Sequence, residues 1–201
     1  MRRITVLITL LAAVGSAQAQ RLAEPSTGLS VHPPAGYSAT IAPPRPPSIA
    51  AIAIRRPNGS DTGCQVAYHP TPQNERLDEL NVTAAGERWR GEAVRTLGAL
   101  YEIEHAEPFP HAGIQCLLLG RILRMRDGTQ ARAKDVRTLF VIPETRRGRT
   151  SAVCVGDRGD FGARRDDFLS IIRSTTPPSH GGAANRPRRI GFGAEPQAVR
   201  P

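Results

Sequence analysis

The feature that most restricts the fold of this chain is a series of three extended segments joined by short turns. The segments cover about residues 114–125, 132–142 and 150–155. Asp127-Gly128 marks the first turn, and the second lies within 143–148. Because connections this short join antiparallel neighbours, the sequence predicts an antiparallel meander. Residues 114–125 are apolar on both faces near their middle, so we expect this strand to lie centrally, covered on both sides.

Further strands are predicted before the meander. Residues 51–55 and 64–68 flank the turn-rich sequence PNGSDTG and form a predicted hairpin, since Asn-Gly is a strong reversal signal. A first extended segment covers 31–41, and the proline-rich run 43–47 follows it as a connector. Alternation of apolar and polar residues over 99–105 indicates another half-buried strand.

Two helices are predicted in addition. Over residues 74–90 apolar side chains recur at steps of three and four, with Asn74 as a candidate N-cap and Trp89 as a core anchor. The last helix begins near Asp160, another candidate N-cap, and ends before Pro177. The predicted class is therefore α+β, an antiparallel sheet of about six strands with helices packed on it. We expect helices on both faces.

The N-terminal sequence has the character of a targeting segment. It reads MRRITVLITLLAAVGSAQAQ, with two arginines, an apolar run over residues 4–14 and a small-residue pattern that ends at Ala19. This layout is typical of a signal peptide cleaved between Ala19 and Gln20. The apolar run is shorter than the roughly 20 residues that a membrane-spanning helix needs. We expect a bacterial periplasmic or secreted protein with no integral membrane segment after signal removal.

The predicted domain organisation has four parts. A signal peptide occupies 1–19, a flexible segment 20–30, a single α+β domain 31–176, and a disordered basic tail 177–201. The tail lacks apolar periodicity and is rich in Pro, Gly and Arg, a composition that cannot bury enough apolar surface to fold.

The positive charge says little about partners. The formal net charge is +9, and it falls to +7 when Arg2 and Arg3 are removed with the signal peptide. Lys134 is the only lysine among the 27 basic residues, a bias that indicates a GC-rich genome. A nucleic-acid-binding surface would combine a basic stripe with aromatic stacking residues, and neither is present in the sequence. We predict no nucleic-acid partner.

The order of elements resembles a known fold family. The opening LSVHPPAGYSATI, the helix before the meander and the closing DDFLSIIRSTTP are similar to the layout of PsbP-like domains. The similarity covers about residues 29–176 as architecture, without a diagnostic motif. The resemblance implies a scaffold that hosts unrelated binding and accessory roles, and it implies no reaction. No functional residue is transferred from the family.

Three cysteines allow at most one intramolecular disulfide. In the predicted meander one strand separates Cys116 from Cys154, so their Cα atoms would lie about 9–10 Å apart, beyond the roughly 7 Å limit for a disulfide. Cys64 is then one partner. We favour Cys64–Cys154 over Cys64–Cys116, because Cys116 lies in the apolar run GIQCLLLG and suits a buried free thiol. Both pairings remain open.

Candidate catalytic and metal-binding groups are few. Cys64 and His69 are five positions apart, which places them on opposite faces of a strand. Four groups on or just after the predicted strand over 99–105 could in principle bind a metal ion. Their spacing matches no metal-binding motif, so a surface cluster is the preferred interpretation. These groups are Glu102, Glu104, His105 and His111.

The sequence therefore predicts no catalytic residue, no cofactor and no metal site, and it predicts that Asp166 and Asp167 are solvated. The preferred function is that of a non-catalytic exported binding or accessory module, which contacts an unknown envelope protein or ligand through its sheet or loops. The alternative is a Cys- or His-dependent enzyme or a metal-handling protein of the envelope, which would use Cys116 or the region 105–111.

Overall fold

The computed structural model describes residues 20–57, 62–72, 74, 91–92, 94–98, 101–111, 114–123 and 136–178. Several predictions concern residues outside these ranges. They are the signal peptide, the reversal at Asn58-Gly59, most of the helix over 74–90 with Trp89, the turn at Asp127-Gly128, and the tail after residue 178.

The described residues form mainly strands. In chain order these are β1 (Leu22–Ala23), β2 (Ser30–Val31), β3 (Ser38–Ile41), β4 (Ala50–Arg55), β5 (Gly63–Pro70), β6 (Tyr101–His111), β7 (Ile114–Leu123), β8 (Val136–Ile142), β9 (Glu144–Thr145) and β10 (Gly148–Asp157). The C-terminal helix covers Phe161–Ser174, and residues 91–92 and 94–98 are also helical. None of the described helices has the length and apolar character needed to cross a bilayer.

The strands form two antiparallel sheets. β1 pairs with β2, and the main sheet has the order β3-β4-β5-β10-β8-β7-β6, with β9 beside β10. The predicted α+β class is confirmed. The hairpin β4–β5 and the meander β7–β8–β10 also form as predicted.

The central strand of the main sheet differs from the prediction. β10 occupies the middle of the order, whereas β7 lies one strand from the edge at β6. Burial along β10 alternates residue by residue. The continuous apolar run of β7 was therefore the wrong criterion for choosing the central strand. β10 is central because it pairs with both β5 and β8.

The N-terminal part also differs from the prediction. Instead of one extended segment over 31–41, β2 ends before Pro33 and Pro34, whose rings limit the backbone and remove N–H donors. Gly36 then adopts a φ of 82° in the turn before β3. The segment 20–30, which we expect to be loose, contains β1 and the first residue of β2, and these two strands pair. The carboxylate of Glu24 closes the intervening turn, since it accepts hydrogen bonds from residues 26 and 27 at 2.7–3.1 Å.

The main core lies between the sheet and the C-terminal helix, and we call this side of the sheet the helix-covered face. The helix packs against β10 and β8. The following side chains of strands and helix are less than 2% exposed: Ile52, Ile54, Val66, Leu139, Val141, Phe168, Ile171 and Ile172. Burying each of these side chains contributes about 1.5–3 kcal/mol to folding.

The opposite side, which we call the second face, carries another apolar cluster. Phe140 belongs to it and points away from the buried Leu139, because successive side chains of a strand alternate. A β-bulge after Ile103 shifts the register of β6 and brings Ile103 and Ala106 to the same face. The partly buried members include helical residues: Val94, Leu97, Ile103, Ala106 and Phe140. Helical residues thus pack on both faces, as expected.

Candidate functional site

The cysteines at the centre of the sheet form a disulfide. Cys64 on β5 and Cys154 on β10 are direct register partners, bonded to each other, with Cα atoms 4.0 Å apart. This is the pairing that we favoured from the sequence. The two residues are 4% and 0% exposed. Their sulfur atoms form a buried covalent bond between neighbouring strands and are not available as free thiols. Cys116 lies on β7, separated from β10 by β8, and its side chain is not among those described.

His111 links the end of β6 to the end of the C-terminal helix. Its side chain is 6% exposed, and Nε2 lies 2.7 Å from the carbonyl oxygen of Thr175. A carbonyl can only accept, so Nε2 carries the proton and donates. Burial lowers the pKa of His111, and the hydrogen bond to Thr175 opposes this shift. The imidazole is therefore held neutral in a structural contact.

The carboxylates considered as metal ligands lie far from His111. Glu104 and His111 are seven positions apart on one strand, which corresponds to about 24 Å. Glu104 forms an ion pair with Arg137, with an N–O distance of 3.4 Å. Within the described part of the chain, no three His, Cys, Asp or Glu side chains converge to hold a metal ion. His111 and the glutamates at 102 and 104 thus form no common site. The side chain of His105 is not described.

A buried guanidinium organises the start of the C-terminal helix. Arg164 is 5% exposed. It donates from Nη1 to the Thr62 hydroxyl at 2.9 Å and from Nε to the Tyr37 hydroxyl at 3.3 Å. Its Cζ atom also lies 4.8 Å from the ring centroid of Phe168. Asp160 occupies the predicted N-cap position without a side-chain capping bond. Its carboxylate lies 3.8 Å from Arg164 Nε instead.

The Tyr37 hydroxyl extends this network to the protein surface. It donates to the carboxylate of Asp167 at 3.1 Å, and Arg56 donates to the same oxygen at 3.0 Å. Asp166 is exposed, and the Asp167 side chain remains 37% exposed although it accepts these two hydrogen bonds. The network fixes the segment before β3 to the helix. Since its acidic and basic groups are paired with one another, its evident role is structural.

A buried carboxylate on β9 is also engaged in contacts between segments. Glu144 on β9 is 7% exposed. It accepts a hydrogen bond from the side-chain amide of Asn74 at 2.9 Å and another from the guanidinium of Arg149. The same amide donates to the carbonyl of Thr145 at 2.9 Å. Asn74 thereby anchors the chain after β5 to the β9–β10 turn. Both oxygens of the Glu144 carboxylate are occupied by these contacts, which hold the two segments together.

The second face carries a depression of about 330 Å³ over β4, β5 and β10. Most of its lining residues are small, and three of them have polar side chains: Arg55, Gln65 and Ser151. The lining residues are Ala53, Arg55, Gly63, Cys64, Gln65, Ala67, Ser151, Val153 and Val155. A concave apolar surface with few polar groups favours binding through dispersion and oriented hydrogen bonds. No residue of the lining forms a nucleophile–base pair.

Comparison with known proteins shows similarity at the level of the fold. No protein-family model matches the chain, and no curated protein matches its sequence. The solution structure of cyanobacterial PsbP (CyanoP) from Synechocystis sp. PCC 6803 is similar with a TM-score of 0.55 and 16% identity, over 85% of this chain and 98% of that chain. A crystal structure from Bacteroides thetaiotaomicron VPI-5482 has a TM-score of 0.51 and 10% identity, over 82% of this chain and 50% of that chain.

These identities are too low to carry a function from one protein to another. This chain also spans only half the length of the Bacteroides protein. The shared arrangement of strands and helices nevertheless agrees with the resemblance seen in the sequence. The chain has a PsbP-like fold.

Proposed function

We propose that this chain is an exported, non-catalytic binding or accessory module. The Cys64–Cys154 disulfide carries the proposal. Disulfides persist in oxidising compartments such as the bacterial periplasm and the extracellular space, and the signal-like residues 1–19 indicate the same destination. Reactive disulfides are exposed or strained. This one is buried between two central strands, which supports a structural role.

The acid–base candidates support the non-catalytic part of the proposal. His111 donates to a backbone carbonyl, and Glu144 is held by Asn74 and Arg149. Each group is engaged in holding one element to another. The second-face depression, in contrast, offers half-buried small side chains together with exposed Arg55 and Gln65. We therefore place the binding surface there, with an envelope protein or a ligand as its partner.

Export is tested by fractionating a bacterial host that produces the full chain. We expect a periplasmic protein whose N-terminal peptide begins at Gln20 by mass spectrometry, with one disulfide by thiol counting under denaturing conditions. A matched chain that lacks residues 1–19 is expected to stay in the cytoplasm. A full-length product that retains Met1 in the cytoplasm would overturn the proposal.

Binding through the depression is tested with two arginine substitutions on opposite faces. Ala67→Arg fills the depression, whereas Ser170→Arg changes an exposed position of the C-terminal helix. Tagged wild-type protein and the Ser170→Arg variant are expected to retain the same envelope component from a detergent extract, and the Ala67→Arg variant is expected to lose it. Equal retention by all three proteins, or retention by none, contradicts this assignment.

A further inference from the structure

The two edge strands of the main sheet differ in what they offer to another strand. On β6, the ladder to β7 continues past Pro108 and Pro110. Since proline has no N–H to donate, both residues occupy positions whose backbone nitrogen points away from β7. The strand also carries the bulge after Ile103 and three glutamates, at 102, 104 and 107. Prolines, bulges and charges are the devices that prevent an edge from pairing.

The opposite edge, β3, has none of these devices. The N–H of Ala42 donates to the carbonyl of Ala51 at 2.9 Å. Because hydrogen-bonded positions recur every second residue, the even-numbered residues of β3 face β4. Ala39 and Ile41 therefore direct their N–H and C=O groups away from the sheet. These four groups have no hydrogen-bond partner within the described residues.

We propose that β3 pairs with β3 of a second copy of this chain, about a two-fold axis through Thr40. Antiparallel pairing about Thr40 sets Ala39 opposite Ile41 of the other copy, and Ile41 opposite its Ala39. The four outward groups of each copy then form four hydrogen bonds with those of the other. Pro43, the next outward-facing position, has no N–H and ends the ladder.

The side chains of β3 fit this arrangement. Ala39 and Ile41 lie opposite Ile54 and Ile52 of β4 and share their helix-covered face. Ile41 is 52% exposed, and in the pair it packs beside Ala39 of the other copy. On the second face, Thr40 meets its equivalent across the axis, a favourable cross-strand pair. Residues 37–42 contain no charged side chain, so no like charges are opposed in this ladder.

The interface is small, and this sets its strength. β3 has four residues, whereas a stable interface usually buries more than about 1,000 Å². We therefore expect weak, reversible association whose dimer fraction rises as the protein concentration increases from about 10 μM to about 1 mM. Association of this strength becomes significant where copies are held close together.

The test is sedimentation velocity of the purified, disulfide-intact chain across that concentration range. Ile41→Lys is compared with Ile49→Lys, because both isoleucines are 52% exposed and only Ile41 lies on β3. We expect wild type and Ile49→Lys to associate equally, and Ile41→Lys to associate at least about tenfold more weakly. Ala39→Pro, which removes two of the four bonds and spares the ladder to β4, should also weaken association.

Two results would overturn the inference. One is a wild-type chain that remains monomeric throughout the concentration range. This result overturns the inference even if β3 of the monomer pairs with an unrelated extended peptide. The other is equal association of Ile41→Lys and Ile49→Lys. Near-ultraviolet circular dichroism of each variant verifies that the fold is retained. The inference is independent of the proposed function, since pairing of β3 requires neither export nor a ligand.

Discussion

Removal of the Cys64–Cys154 disulfide is the perturbation whose magnitude follows most directly from the structure. The two cysteines are 90 residues apart in sequence. In the chain-entropy model, a loop of this length restricts the unfolded chain by about 15 cal/mol/K, or about 4.6 kcal/mol at 25 °C. Small domains have total stabilities of about 5–15 kcal/mol. We therefore expect the double variant Cys64→Ala, Cys154→Ala to lose about 4–5 kcal/mol.

The assay is urea denaturation of wild type and the double variant, each with and without a reductant. With a denaturant dependence of about 2 kcal/mol per molar urea, the midpoint should fall by about 2 M. Reductant should destabilise wild type to a similar extent and leave the double variant unchanged, since that variant has no bond to reduce. A loss below about 1 kcal/mol would refute the reasoning, and so would an equal reductant effect on both proteins.

Three further substitutions test other contacts. Arg164→Met removes the buried bond to Thr62 and should cost about 2–3 kcal/mol in urea denaturation; an effect within 0.5 kcal/mol would contradict a structural role. Burial lowers the pKa of His111, so the unfolded chain binds the proton more tightly and wild type should lose stability as pH falls through about 6.5. His111→Gln, which keeps an N–H donor for Thr175, should lose less stability over this pH range. Urea midpoints of wild type and variant that fall in parallel with pH would contradict this prediction. Gly148→Ala should cost about 3 kcal/mol by thermal melting, because φ is 147° and a Cβ would overlap the end of β5; an unchanged midpoint would contradict it.

The strands and the last helix were predictable because their signals are local. Alternation in β5 placed Cys64, Val66 and Tyr68 on one face, and all three are buried. The Asn-Gly reversal joined β4 to β5 although the turn itself lies outside the described residues. The sheet order was less predictable, since the insertion of β10 between β5 and β8 depends on contacts between distant segments.

The polar networks were not predictable for the same reason. Tyr37 and Asp167 are 130 residues apart, and Thr62 and Arg164 are 102 apart. In the sequence, Asp167 is one of two adjacent acids on a polar helix stripe, with nothing to distinguish it from exposed Asp166. Only the packing of the helix beside the segment before β3 gives it partners. A basic residue within an apolar helical face, such as Arg164, was the one available signal.

The lining of the depression on the second face could be predicted in part from the disulfide. A disulfide between directly opposite residues of two antiparallel strands specifies their register. The residues that follow one cysteine then lie opposite the residues that precede the other. Cys64 opposite Cys154 places Gln65 opposite Val153, as the structure has it. These neighbours point to the face opposite the disulfide and line the depression. The Cys64–Cys154 pairing therefore also determines which side chains meet on the second face, whereas a Cys64–Cys116 pairing would set β5 against a different strand.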